Sequence, residues 1–163
     1  RVRNDDPVVL ALRYKGVTVV LPGDIGREGE SRLLERVERS PIVVLKAPHH
    51  GSATSSTAEL LAALRPAAVV FSAGRDNRFG HPHPAVVARY RKAGVEMFST
   101  ARHGAVILET DGVTAAIRAF DQLEPRLLTP SHSASISSSV ASCTDRPRAA
   151  NACSSSWKRE VNF

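Results

Sequence analysis

Cysteine is nearly absent from this chain: only Cys143 and Cys153 occur, both near the C-terminus. That scarcity argues against a disulfide framework and against a cysteine zinc site, and both residues are expected to be free thiols. Aromatic residues make up 5% of the sequence, so Ala, Val and Leu must fill the core. No apolar run approaches the roughly 20 residues needed to cross a bilayer, and the chain by itself is expected to be soluble. It opens on Arg1-Val2-Arg3, with neither an initiator Met nor a signal-peptide pattern, as expected of a processed chain or a piece of a longer one. No Gly-x-Ser-x-Gly elbow occurs, which leaves little basis for a serine nucleophile.

The length of 163 residues suits one domain with a sizeable core. The net charge of +6 lies mostly before residue 121, where 17 Lys and Arg face 12 Asp and Glu. Such a surplus favours an anionic partner such as nucleic acid, and plain solubility accounts for it equally well.

Residues 8–14 and 17–21 read as a hairpin through Lys15-Gly16. Leu33, Leu34 and Val37 mark one face of a helix over 28–39. Residues 42–46 are too continuously apolar for an exposed sheet face and predict a buried strand. Ser56 and Glu59 form a capping box for the helix of Leu60, Leu61 and Leu64, which Pro66 ends. A strand over 67–72, a helix over 85–93 opened by Pro84, and strands near 95–98, 104–109 and 113–118 follow. This β-β-α-β-α-β-α-β-β-β order predicts an α/β fold with parallel neighbours and right-handed crossovers. From about residue 121 the periodicity stops, and the Ser-rich stretch 131–156 is expected to be disordered. The expected division is a folded unit over 1–120 and a tail over 121–163, whose differing composition suits a non-native extension.

In parallel sheets functional loops gather at the carboxyl ends of strands. Three such ends carry polar cargo: Asp24 after Pro22-Gly23, His49-His50-Gly51-Ser52 after Ala47-Pro48, and Asn77, His81 and His83 in the loop after 68–71. Asp24 read alone suits a turn, yet its two carboxylate oxygens could also bridge cations. Successive strand-end residues point opposite ways, so one of His49 and His50 should face a site. Gly51 permits close backbone approach, and 52–56 offers hydroxyls and free N–H groups at a helix start, a phosphate cradle or a simple N-cap. Arg75 and Arg78 flank Asn77 and could contact phosphate, whereas His103 suits a turn and Arg89, Arg91 and Lys92 a solvated helix face. Histidine and carboxylate without core cysteine suit Zn²⁺ or Mn²⁺ in a hydrolytic site.

The order Leu21-Pro22-Gly23-Asp24-Ile25, Glu30, Leu45-Lys46-Ala47-Pro48-His49-His50-Gly51-Ser52, Ser72-Ala73-Gly74, Asn77-Arg78-Phe79-Gly80-His81-Pro82 and Gly104-Ala105-Val106 resembles the metallo-β-lactamase-fold domain of the ComEC family of bacterial DNA-uptake proteins. The resemblance covers roughly residues 4–118. It implies that the unit over 1–120 is a partial metallo-β-lactamase-like domain: the second half, a βα-repeat with a terminal hairpin, of a four-layer αββα sandwich. It also implies metal-dependent hydrolysis of DNA, with single-stranded DNA as partner. Carried over by position, Asp24 and His49 are the implied metal ligands, His49, His50 and His81 the implied catalytic residues, and Ser52, Asn77 and Arg78 the implied substrate contacts.

The sequence departs from the family pattern in lacking the His-x-His-x-Asp-His motif that carries most primary ligands. The family's Thr-Asp before the last hairpin is Thr100-Ala101 here, and Pro7 stands where a small hydroxyl residue is usual. Family members also carry a membrane channel ahead of this domain and reside at the plasma membrane. The expectation is therefore half a metal site, inactive alone. A small-molecule hydrolase of the same fold and a non-catalytic DNA-binding remnant are the alternatives.

Overall fold

The computed structural model describes residues 8–122, 124–130 and 159–163. Strands β1 (Leu10–Tyr14) and β2 (Val17–Leu21) form the expected hairpin, turned at Lys15 in a left-handed backbone with φ 51°. Helix α1 (Arg27–Leu34) leads to β3 (Ile42–Lys46), α2 (Ala58–Leu64) to β4 (Ala68–Phe71), and α3 (Pro84–Lys92) to β5 (Glu96–Ser99). A four-residue helix, α4 (Thr100–His103), precedes the hairpin of β6 (Val106–Thr110) and β7 (Ala115–Ala119). Two short strands, β8 (Arg126–Leu128) and β9 (Arg159–Asn162), complete the order.

The first sheet runs β1-β2-β3-β4-β5, antiparallel at β1-β2 and parallel thereafter. Its crossovers all step in one direction, so right-handed connection places the helices on a single face. Val20, Val43, Leu45, Val69 and Phe71 point to that face and pack with Leu33, Leu60, Leu61, Leu64, Val86 and Tyr90. Residues of opposite parity, among them Val17, Val19, Ile42, Val44, Ala68 and Val70, meet Val106, Leu108, Ala115 and Ile117 of a second sheet. That antiparallel sheet, ordered β8-β7-β6-β9, alternates buried and half-buried positions along β6 and β7, as a sheet with one covered face must. The molecule is an α/β fold with two stacked sheets.

Three expectations change. Helix α1 stops at Leu34, where the Arg36 N–H makes a tighter i→i−3 bond to the Leu33 carbonyl at 3.0 Å. The cap of α2 is Thr57, whose hydroxyl accepts the Leu60 N–H at 3.2 Å. Ser56, at φ 57°, lacks the extended backbone that an N-cap needs. The chain after residue 121 is not structureless throughout. Strand β8 pairs with β7, β9 pairs with β6, and Val161 and Phe163 pack against the core between the sheets. Backbone hydrogen bonding to strands already formed supplies what the local pattern lacked. The Ser-rich stretch over 131–156 lies outside the described residues.

Glu30 is fully buried, and its carboxylate accepts the N–H groups of Ser56 and Thr57, the latter at 2.8 Å. Glu30→Ala strands both donors in the interior and is expected to lower the unfolding free energy by about 3 kcal/mol. Glu28→Ala breaks only an exposed pair with Arg32 and should cost roughly 0.5 kcal/mol or less. Urea denaturation of the two variants measures the contrast, and equal midpoints would show that Glu30 does not anchor this loop.

Candidate active-site edge

The carboxyl ends of β2, β3 and β4 do converge. After β2, Gly23 turns with φ 65°, a left-handed value that suits glycine, and its carbonyl accepts the His49 N–H at 2.9 Å. That bond ties the turn after β3 to the turn after β2. Within Pro48–Gly51 both histidines are left-handed, His49 at φ 46° and ψ 43°, His50 at φ 55° and ψ 17°. Two consecutive left-handed non-glycine residues cost on the order of 1–3 kcal/mol each, and such strain clusters at functional sites. The strand-like alternation expected of His49 and His50 does not apply to this turn.

His50 is fixed from both sides. Its Nδ1 lies 2.6 Å from the Ser72 carbonyl oxygen, which can only accept, so Nδ1 carries hydrogen. Nε2 consequently faces Asp24 Oδ1 at 3.4 Å. The pair is an ion pair when the imidazole holds two protons; otherwise a nitrogen lone pair faces a carboxylate, an arrangement suited to a shared cation. It is thus His50, and not His49, that stands against Asp24. His49 instead meets the His81 ring edge-on, with centroids 5.8 Å apart.

Three loops bring His81 there. Gly51, at φ 84°, lets Pro82 approach so closely that an added Cβ would sit 2.8 Å from the Pro82 Cβ. The Gly51 carbonyl accepts the His83 N–H at 2.9 Å. Asn77 clamps the loop from within: its Nδ2 donates to the Gly74 and His81 carbonyls at 3.0 and 2.7 Å, and its Oδ1 accepts the His81 N–H at 2.8 Å. Both ends of the amide are thereby engaged in shaping the loop. His81 Nδ1 is shielded from solvent and has no hydrogen-bond partner. Burial, then the proximity of His49 and His50, lowers the His81 pKa from its ordinary value, only partly opposed by Asp24.

The remaining candidates separate. Ser52 is buried and its hydroxyl lies 3.2 Å from that of Thr54. The phosphate cradle expected over 52–56 is already filled, because Glu30 takes the N–H groups of Ser56 and Thr57. Arg89 is half-buried and donates to the Ser55 and Ser56 carbonyls, so it braces this loop and is not part of a solvated face. Arg78 is exposed, with its guanidinium 5.0 Å from the Phe79 ring centroid. His83 caps α3 by accepting the Ala85 N–H, and the His103 Nδ1 lies 3.5 Å from the Ser99 N–H.

Sequence reasoning assigned no role to Lys46, Glu30 or Thr100. Lys46 ends β3 half-buried, and burial lowers its pKa while Asp24 pulls it back up. A lysine closing an apolar run was the available signal. Thr100 accepts the Ala73 N–H at 3.0 Å, fastening α4 to the end of β4. Among the described residues no three His, Cys, Asp or Glu side chains are arranged to hold one metal ion. A catalytic zinc site takes three protein ligands, so Asp24 and His50 do not form one alone.

No protein-family model matches the chain. It is 31% identical over 104 residues to ComE operon protein 3 of Bacillus subtilis, covering 64% of this chain and 13% of that protein. It is 34% identical over 106 residues to Competence protein ComA of Neisseria gonorrhoeae, covering 63% of this chain and 15% of that protein. Recombination protein 2 of Haemophilus influenzae is 34% identical over 92 residues, 55% of this chain and 11% of that protein. The chain is similar in sequence to a segment of ComEC-type competence proteins. It matches less than one sixth of the length of each of these relatives. Among the described residues no helix is long and apolar enough to cross a membrane.

Two titrations test the electrostatics of this edge. His81 should titrate below the ordinary imidazole value of about 6.5. The unfolded chain then binds more protons than the native one in that window, so stability is full above about pH 6.5 and falls as pH drops toward the folded value. Proton NMR of the histidine rings and thermal midpoints from pH 7.5 to 5 measure both effects. They should shrink in His81→Asn. Asp24→Asn removes the one interaction raising the Lys46 pKa and should depress it further, as followed by NMR at the Lys46 Cε.

Proposed function

We propose that this chain is the C-terminal half of a metallo-β-lactamase-type hydrolase domain in a DNA-uptake competence protein. In this reading it supplies one wall of a site whose remaining metal ligands come from outside it. The observation that carries the reading is the Asp24–His50–Ser72 arrangement, which joins three strand ends, in a chain similar over 104 to 106 residues to the competence proteins. An acid oxygen and an imidazole nitrogen 3.4 Å apart suit two ligands of one ion, and the absent His-x-His-x-Asp-His segment accounts for the shortfall. Zinc or manganese, the metals suited to these donors, is not held by these residues alone.

Surface burial supports the same reading. Leu10 and Leu12, 46% and 40% exposed, stand opposite Leu21 and Val19 on the face of the first sheet that the second sheet covers elsewhere. Further chain packed there would bury this apolar strip. Within the wall, burial and then the nearby His49 lower the His81 pKa, burial lowers that of Lys46 against the pull of Asp24, and Ser52 and Asn77 hold the two loops. Arg78 remains open to attract phosphate. The full-length protein would sit at the plasma membrane behind a channel and act on single-stranded DNA.

The test is complementation in trans. The chain alone should carry no stoichiometric zinc or manganese after dialysis and should leave a single-stranded oligonucleotide intact. Mixed with a segment bearing the His-x-His-x-Asp-His motif, and with Mn²⁺ added, it should cleave. Asp24→Ala should then lose at least about 100-fold in rate, in line with removal of a group that holds the reacting centre. Cleavage by the chain alone, with bound metal, would overturn the half-site reading. An assembled pair that never cleaves would overturn the hydrolase.

A further inference from the structure

Phe79 has no place in the wall described above, yet its setting is specific. It lies on the loop between β4 and α3 with 67% of its surface exposed, an unusual position for a bare phenyl ring on a rigid loop. The loop is held by the Asn77 clamp and by the Gly80 N–H donating to the Asn77 carbonyl at 3.2 Å. Arg78 places its guanidinium 5.0 Å from the ring centroid. The His81 ring lies near-parallel to Phe79, at 17° and 5.9 Å, and His81 in turn meets His49. These neighbours orient the phenyl ring without covering it. Two ring-to-ring steps therefore lead from an exposed aromatic surface into the histidine cluster.

We propose that Phe79 is a base-stacking platform that receives one unpaired nucleobase of a single-stranded DNA beside the Asp24–His50 pair. The proposal rests on the reading of this edge as a site for DNA. A nucleobase is the ligand that the observed chemistry fits. A flat apolar ring offers its face to any base regardless of sequence, and an adjacent guanidinium adds both a cation for the phosphate and a second planar surface. The chain's surplus of positive charge draws the strand in. In a duplex each base face is already covered by its neighbours, so an exposed phenyl gains nothing from it. The platform thereby selects single strands. Because the loop is fixed before binding, little ordering entropy is lost when a base stacks.

Fluorescence anisotropy on the full 163-residue chain tests the idea with three probes of equal length at one salt concentration. These are a labelled oligothymidylate, the same backbone with abasic sites, and a duplex. The base-bearing single strand should bind roughly 5-fold or more tightly than the abasic one, the range expected of one stacked base. Phe79→Ala should bring that ratio near one, and Phe79→Trp should keep it. Phe79 is exposed, so the variants are expected to fold, and near-UV circular dichroism checks that they do. Equal binding of the abasic and base-bearing strands would overturn the platform. An unchanged preference in Phe79→Ala would also overturn it and leave the ring as a protein-packing surface. Failure to bind any DNA sinks this proposal, whereas the hydrolase reading stands or falls separately on cleavage by the complemented pair.

Discussion

The loop between the paired histidines and helix α2 depends on one buried carboxylate. Glu30 enters from α1 with no solvent exposure and takes the N–H groups of Ser56 and Thr57, which α2 cannot satisfy internally. From the opposite side the Arg89 guanidinium takes the carbonyls of Ser55 and Ser56, and the Tyr90 hydroxyl reaches Ser56 Oγ at 3.1 Å. Burial pushes the Tyr90 phenol well above its ordinary pKa, so it stays a hydrogen-bond donor across the accessible pH range. Donors and acceptors of one short loop are thus matched by side chains from two helices, α1 and α3. A charge in the interior is tolerable only under such full pairing.

The strained histidine turn is a consequence of that anchoring. With 52–57 fixed and β3 fixed in the sheet, residues 48–51 must close a short gap, and they do so through left-handed His49 and His50. Gly51 then admits Pro82 and Phe71 at distances that no side chain would permit, bringing the loop after β4 over the turn after β3. The arrangement sets two histidines to different tasks. His50 bridges Ser72 and Asp24, while His49 packs on His81. Hydrogen bonds on both flanks fix the backbone that carries the two histidines.

Strand periodicity explains which parts of the fold could be read directly. The runs at 17–21, 42–45 and 68–71 are β-branched or apolar at every position because both faces of a parallel central sheet are covered. Pro66, Pro84 and Gly94 punctuate the helices by local backbone chemistry, which acts wherever the chain goes, whereas the cap of α2 lies one residue beyond the Ser56 expected. Strands β8 and β9 gave no such signal. Arg126–Leu128 is three residues long, and Arg159–Asn162 alternates charge with one valine, so each becomes a strand only because a neighbour offers an unpaired edge.

The same distinction applies to the candidate edge. Sequence alone placed Asp24, His49, His50 and His81 at strand ends, since strand order and right-handed crossover decide which loops share a rim. It could not decide which histidine meets Asp24, because that turns on two left-handed backbone angles set by contacts from α1, α3 and the loop after β4. Nor could it show that Asn77 and the N–H groups near Ser56 are already engaged, or that Lys46 is half-buried beside an acid. Hydrogen-bond partners 4 to 27 residues apart depend on distance in space, and only tertiary packing supplies it. Residue type and spacing fixed which chemistry is present on this rim. Packing decided which groups are left to use it.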